Sequence, residues 1–281
     1  MICDTHVHLA PLGLTKVLPP KNIPAYREVR EMSADSYLKA ADMCGVRYAV
    51  VFPHIFPEIS ATEGTKYIIK TAAEHPNRFV PFLRIDEKIE IINEFSAQIK
   101  GIKEQFLLTK HVDIKNFFPT YELMQDKGLV LISHPSTNCR ISRIAQISDN
   151  FPKLKIILAH SGRAFNAPRD IIATEVGREL YKYPNVFFDT STVLEPEAIG
   201  KLVSTVGGER ILFGSDLPFG EEKTLLDSYR AEIKAITDIR LPSSEKDKIL
   251  SKNFIELFSL PKSISHHNVK TPRAPIQHDR T

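Results

Sequence analysis

The chain of 281 residues is poor in cysteine, and its three cysteines, Cys3, Cys44 and Cys139, stand far apart in sequence. That excludes a dense disulfide framework and a C-x-x-C zinc site, and it fits a reducing compartment. Long hydrophobic runs are missing too: none approaches the roughly 20 residues that a membrane-spanning helix needs. The first residues carry Asp4 and two histidines where an export signal has a basic and then an apolar stretch. A cytoplasmic protein without a membrane partner is therefore expected. No glycine-rich fingerprint follows any strand-like run, which argues against a nucleotide-binding doubly wound sheet. Charge of one sign is scarce as well. The formal net charge of +3 is accounted for by residues 262–281, where Lys262, Lys270, Arg273 and Arg280 stand against Asp279. The remaining body is neutral and offers no electrostatic footprint for nucleic acid. The proline-punctuated basic stretch 261–281 reads as a disordered tail.

What the chain does have is 42% hydrophobic residues, enough for one large core. Eight apolar runs recur: "MICDTHVHL", "RYAVVF", "RFVPFL", "GIK", "GLVLIS", "LKIILAH", "NVFFDT" and "RILFGSD". They are rich in Val, Ile, Leu and Phe with little alternation, the pattern of parallel strands buried on both faces. Between them lie helix-like stretches. "SADSYLKAADMCG" has Ser33 as N-cap and Gly45 at its stop, and "TEGTKYIIKTAAEHP" starts at a capping threonine and ends before Pro76. Strands alternating with helices predict an α/β fold, a single-domain (β/α)8 TIM barrel over residues 1–260. A ninth helix, "SSEKDKILSKNFIELFSL", is expected to close one end of the barrel. The long, proline-rich "APLGLTKVLPPKNIPAYREVREM" after the first strand is expected to form a lid or pocket wall.

Polar residues fall where a barrel puts its chemistry, at the C-terminal ends of the strands. His6 and His8 stand at i and i+2 of one strand and so share a face, which suits a metal better than an apolar core. "LVLISH" ends at His134, "KIILAH" at His160 and "ILFGSD" at Asp216. His134 and His160 are one β–α unit apart and Asp216 lies two units further on. The intervening strand ends at Asp189. Side chains from strands one, five, six and eight thus converge on one mouth.

"DTHVHL", "LISHPS", "ILAHSG" and "ILFGSDLPF" resemble the amidohydrolase superfamily of metal-dependent barrel enzymes. The nearest likeness is to its aminocarboxymuconate-semialdehyde decarboxylase-like branch. "GIK", "YPNVFFDTS" and "ILSKNFIELF" extend the resemblance to about residue 260. It implies His6, His8, His134 and Asp216 as ligands of one divalent ion. Zinc is the first choice for such donors, while manganese and iron also suit them and a second ion stays open. It further implies Asp216 as the proton-accepting catalytic residue and His160 as the group that stabilises developing charge. The expected reaction is hydrolysis of an amide, lactone or ester-type bond in a small molecule. The alternative is non-oxidative decarboxylation of a small carboxylic acid on the same residues. Of Lys103 and Glu104 in "GIKEQ", only one can face the interior. Arg84, His54, Lys103 and Arg163 are the candidates for substrate contact, with Ser191 beside them. A homo-oligomer is compatible with all of this.

Overall fold

A computed structural model describes residues 1–11, 33–54, 60–85, 91–104, 113–135, 141–163, 167–219, 222 and 224–261. The expected lid loop falls mainly on residues 12–32 and the basic tail on 262–281, outside the described residues, as does Cys139. Eight strands pair in chain order: β1 (Ile2–Leu9), β2 (Val46–Pro53), β3 (Phe79–Ile85), β4 (Gly101–Glu104), β5 (Val130–Ser133), β6 (Ile156–Leu158), β7 (Val186–Asp189) and β8 (Ile211–Leu212). Every neighbouring pair is parallel. The ring closes where the chain beyond β8 meets β1. Thr5 N–H donates to the Phe213 carbonyl at 2.9 Å and His8 N–H to that of Leu217 at 2.8 Å. This is the expected barrel.

The helices between the strands are α1 (Ala34–Met43), α2 (Ala61–Glu74), α3 (Ile91–Phe95), α4 (Phe118–Lys127), α5 (Ile141–Asn150), α6 (Gly177–Leu180), α7 (Pro196–Val206) and α8 (Leu225–Thr237). Ser33 caps α1 as expected, its Oγ accepting from Ser36 N–H. Ser60 rather than a threonine caps α2, because its hydroxyl reaches Glu63 N–H. Beyond α8, α9 (Ser243–Asp247) and α10 (Asn253–Leu257) are joined through a π-turn at Lys248–Lys252, so the ninth helix is one helical stretch. Among the described residues no helix is long and apolar enough to cross a membrane.

Two apolar cores explain the lack of alternation in the strands. The outer one packs Val51, Leu83, Ile102, Leu131, Ile156 and Val186 against the helices. The inner one gathers Cys3, Val50, Phe82, Val130, Ile157 and Leu212 inside the barrel, where Phe254, Ile255 and Leu257 of α10 stopper its base. In β1, Val7 and Leu9 belong to the outer core. His6 and His8 alternate with them and therefore face inward.

Two strands are shorter than their apolar runs. β6 stops at Leu158 and β8 at Leu212, before His160 and Asp216. His160 and Ser161 occupy the left-handed region at φ 55° and 50°, and Asp216 does so at φ 57°. The functional side chains are thus carried by tight turns beyond the strand ends, where the ladder no longer dictates their direction.

Candidate metal centre

His6 and His8 deliver their imidazoles to the mouth from β1, and the turn after β8 brings Asp216 between them. Asp216 Oδ1 lies 3.1 Å from His6 Nε2 and 3.1 Å from His8 Nε2. The turn is seated on β1 by Asp216 N–H, which donates to the His6 carbonyl at 2.8 Å. Gly214 makes this approach possible. A Cβ there would stand 3.1 Å from both His6 Cβ and Thr5 Oγ1. Donor atoms of His6, His8 and Asp216 all fall within 4.8 Å of one another, as do those of His6, His160 and Asp189.

Asp189, at the tip of the strand between His160 and Asp216, is the centre of this arrangement. Its Oδ2 lies 2.8 Å from His6 Nδ1, and its Oδ1 accepts from His160 N–H at 2.9 Å and Ser191 N–H at 3.0 Å. Ser191 Oγ also donates to Oδ1. With that proton committed, Ser191 Oγ, 2.9 Å from His160 Nδ1, can only accept there. His160 then carries its proton on Nδ1, and its Nε2 accepts from His134 Nδ1 at 3.2 Å. The chain of bonds leaves His134 Nε2 as a lone-pair donor, the form that a metal requires. His134 stands outside both three-residue groups, against His160. His160 thus stands both against His134 and in the group with His6 and Asp189.

The other sequence candidates divide. Lys103 is fully buried (0% exposed) and faces inward, its Nζ 3.2 Å from His6 Nε2 and 5.1 Å from the centre of the Phe52 ring. Glu104 points the other way, accepting from Tyr121 OH and from Ser133 Oγ at 3.0 Å, with Arg143 Nη2 at 3.4 Å. The inward residue of the pair is thus Lys103. Arg84, register-paired with Lys103 and 2% exposed, donates through Nη1 to the His54 carbonyl. The His54 ring lies 5.7 Å from that of His8 and 5.1 Å from Phe219. Arg163 donates to the Thr192 carbonyl at 3.1 Å and so holds the loop after β7.

Burial and neighbouring charge set the protonation states. Burial holds His8 down at about 3, His160 at about 4 and His134 well below the usual imidazole range. These rings are neutral and ligand-competent. For His6, burial and the Lys103 ammonium oppose protonation, but Asp189 and Asp216 outweigh them and push it up. Burial acts upward on Asp216 and Asp189, yet His6 opposes it and leaves Asp216 well below the carboxylate range and Asp189 at about 2. His6 is thus the imidazole here whose protonated form the neighbouring carboxylates favour.

A divalent cation fits this donor set. Donor atoms on a tetrahedral zinc stand about 3.3 Å apart, close to the two 3.1 Å separations at Asp216. Asp189 holds His6 Nδ1 and turns Nε2 toward Asp216, the carboxylate–histidine pairing that supports a metal ligand. His8 Nδ1 is buried with no hydrogen-bond partner among the described residues, and its Nε2 faces Asp216 Oδ1 at 3.1 Å, where a cation would replace the shared proton.

The sequence reading passed over Asp189, Asp4 and Glu232. Asp189 carried a signal, since a carboxylate ending a buried strand between two functional strands is costly without a task. Asp4 carried a weaker one, a charge on the outward side of an apolar strand. Glu232, on α8, carried none; it accepts from Thr192 N–H at 2.9 Å.

The family model for amidohydrolases matches residues 3–260. Over 129 residues the chain is 29% identical to a 2-amino-3-carboxymuconate-6-semialdehyde decarboxylase of Caenorhabditis elegans, a stretch making up 41% of this chain and 30% of that relative's length. Among solved structures, the 5-carboxyvanillate decarboxylase of Sphingomonas paucimobilis superposes with a TM-score of 0.67 at 16% identity, covering 92% of this chain and 99% of that one. A probable 2-pyrone-4,6-dicarboxylic acid hydrolase of Acinetobacter baumannii, solved with citric acid bound, does so with a TM-score of 0.70 at 14% identity and coverages of 92% and 99%. These likenesses establish the barrel fold.

Proposed function

The chain belongs to the amidohydrolase family, and from that premise we propose that it is a metal-dependent hydrolase of an amide, lactone or ester-type bond in a small anionic molecule. The observation that carries this is Asp216, an ionised carboxylate 3.1 Å from two imidazoles, placed to accept a proton. His6, His8, His134 and Asp216 would hold the cation, zinc first among those suited to nitrogen and carboxylate donors. When bound, the cation supplies a Lewis acid that acidifies water and polarises a carbonyl oxygen.

The chain's own groups supply the rest. Asp216 accepts the proton from the attacking water as the new C–O bond forms. It returns that proton to the departing nitrogen or oxygen as the old bond breaks. Asp189 keeps His6 oriented, and His160 keeps His134 oriented. The charges of Asp216, Asp189, Lys103 and Arg84 cancel, so a divalent cation makes the mouth positive and suits an anionic substrate. Lys103 and Arg84 would meet a carboxylate group, with His54 as wall and Arg163 holding the neighbouring loop.

Decarboxylation is the second reading. The two buried cations favour a carboxylate substrate, and the 129-residue likeness to a decarboxylase supports it. The test is metal analysis followed by a screen of lactones, amides, esters and carboxylic acids with that metal. Hydrolysis gives the opened product without gas; CO₂ release from an acid, with no lactone or amide turnover, overturns the hydrolase reading.

A further inference from the structure

Asp4 takes no part in the chemistry above, yet it is fully buried and fully hydrogen-bonded. Its Oδ1 accepts from His6 N–H at 3.0 Å and Ser215 N–H at 3.0 Å. Its Oδ2 accepts from Ser215 Oγ at 2.6 Å and Tyr229 OH at 2.5 Å. Tyr229 OH donates to Asp4, so Tyr37 OH, 2.8 Å away, donates in turn to Tyr229. One carboxylate thereby ties β1, the turn after β8, α8 and, through Tyr37, α1. The two backbone groups that it holds belong to His6 and to the residue preceding Asp216.

We infer that Asp4, backed by Tyr229 and Tyr37, is a positioning residue that sets Asp216 against His6 and His8 in ligating geometry. This rests on the reading of those three side chains as cation ligands. Asp216 sits at φ 57°, a conformation that persists only where the surroundings over-determine it. The ladder with β7 cannot do so, because it has ended at Leu212. Backbone bonds seat the stretch on β1 through Thr5 N–H to Phe213, Asp216 N–H to His6 and His8 N–H to Leu217, and the side-chain bonds that fix the turn between them run through Asp4 and Ser215. A shift of about 1 Å in that turn is enough to spoil a coordination site.

The molecule contains its own control. Glu104, on the outward side of β4, is likewise a buried carboxylate accepting from a tyrosine and a serine, but it meets Ser133, the residue before His134, through the hydroxyl and not through the backbone N–H, and Tyr121 lies on α4 away from every ligand. The experiment compares full-length wild type, Tyr229→Phe, Asp4→Asn, Asp216→Asn and Tyr121→Phe. Zinc affinity is read by competition with a chromogenic chelator, and the coordination sphere by the visible spectrum of the Co²⁺-loaded protein. Tyr229→Phe should weaken zinc binding about tenfold and Asp4→Asn between about 10- and 100-fold, each with an altered Co²⁺ spectrum. Tyr121→Phe should lower the melting temperature and leave affinity and spectrum as in wild type. Wild-type affinity and spectrum in both Tyr229→Phe and Asp4→Asn, alongside lost affinity in Asp216→Asn, overturn the positioning role alone. Should Asp4→Asn fail to fold, Tyr229→Phe decides. A wild type that takes up no cation, or an Asp216→Asn that binds as tightly as wild type, overturns the metal-site reading and this inference with it.

Discussion

At the base of the barrel the inward positions are Cys3, Val50, Phe82, Val130, Ile157 and Leu212, sealed by Phe254, Ile255 and Leu257. At the mouth, toward and just beyond the C-terminal ends of the strands, the inward residues are His6, His8, Arg84, Lys103, His160 and Asp189, all buried. The base gains from burial at every position, because apolar side chains leave water without a polar debt. The mouth buries charge, which is tolerated only where partners are exact in number and direction. Backbone conformation follows the same division. His160, Ser161, Thr192, Leu194 and Asp216 all take positive φ beyond the ends of β6, β7 and β8. Stability is concentrated at one end and strain at the other, as in barrel enzymes generally.

The sharpest way to break this contrast is to change one residue at each end. Asp216→Asn should lower metal-dependent turnover by at least about 10³-fold, since one residue serves as ligand and proton acceptor. Its melting temperature should fall by less than that of a core truncation, because, against burial, His6 holds the Asp216 carboxyl well below its usual range and the ionised group therefore adds stability at neutral pH. Phe254→Ala is that core truncation, costing about 3–5 kcal/mol of stability in urea unfolding and leaving zinc affinity as in wild type. A Phe254→Ala protein with weakened zinc binding would show that the two ends are coupled.

The two ends also differ in how well they can be read from sequence. Strand periodicity and β–α spacing placed His6, His8, His134, His160 and Asp216 at one mouth, because those rules are local. The left-handed turns that end β6 and β8 early were not legible. They are set by Asp189, which accepts His160 N–H, and by Asp4, which holds Ser215 N–H across 211 positions of sequence. Lys103 and Glu104 could be ordered only once the neighbours were known, Phe52 on one side and Tyr121 with Arg143 on the other. Glu232 is one more acid on an amphipathic helix until Thr192 folds against it. What escaped was long-range hydrogen bonding, which leaves no local periodicity.

Acid should separate the ends next. His8 and His160 are held neutral by burial, at about 3 and about 4 against 6.5 in the unfolded chain. As pH falls from 6.5 toward 4, the unfolded chain binds protons that the folded site refuses. Stability is thus lost over that window, by on the order of a few kcal/mol. Asp189, lowered to about 2 from 3.8, adds stability that is present above pH 3.8 and is lost only as pH falls through about 2. The acid limb of urea stability measured against pH should therefore begin with the histidines, and His160→Gln should flatten it. An unchanged limb in that variant would place the acid sensitivity elsewhere.

The smallest effect concerns a mouth residue that costs the fold something. Burial, with Asp216, Asp4 and Asp189 nearby, pushes the Glu232 carboxyl well above the usual range, against the opposing Thr192 N–H bond. A folded-state pKa raised above its unfolded value gives stability that is complete below about 4.5 and is lost as pH rises through the folded value. Glu232→Gln keeps an oxygen for Thr192 N–H and removes the ionisation. It should be more stable than wild type at pH 7.5 by about 1 kcal/mol and equal to it near pH 4, with the difference read from paired urea titrations. Equal stability at both pH values would mean that Glu232 keeps its charge at little cost. The contrast between the ends would then rest on the residues around Asp216 alone.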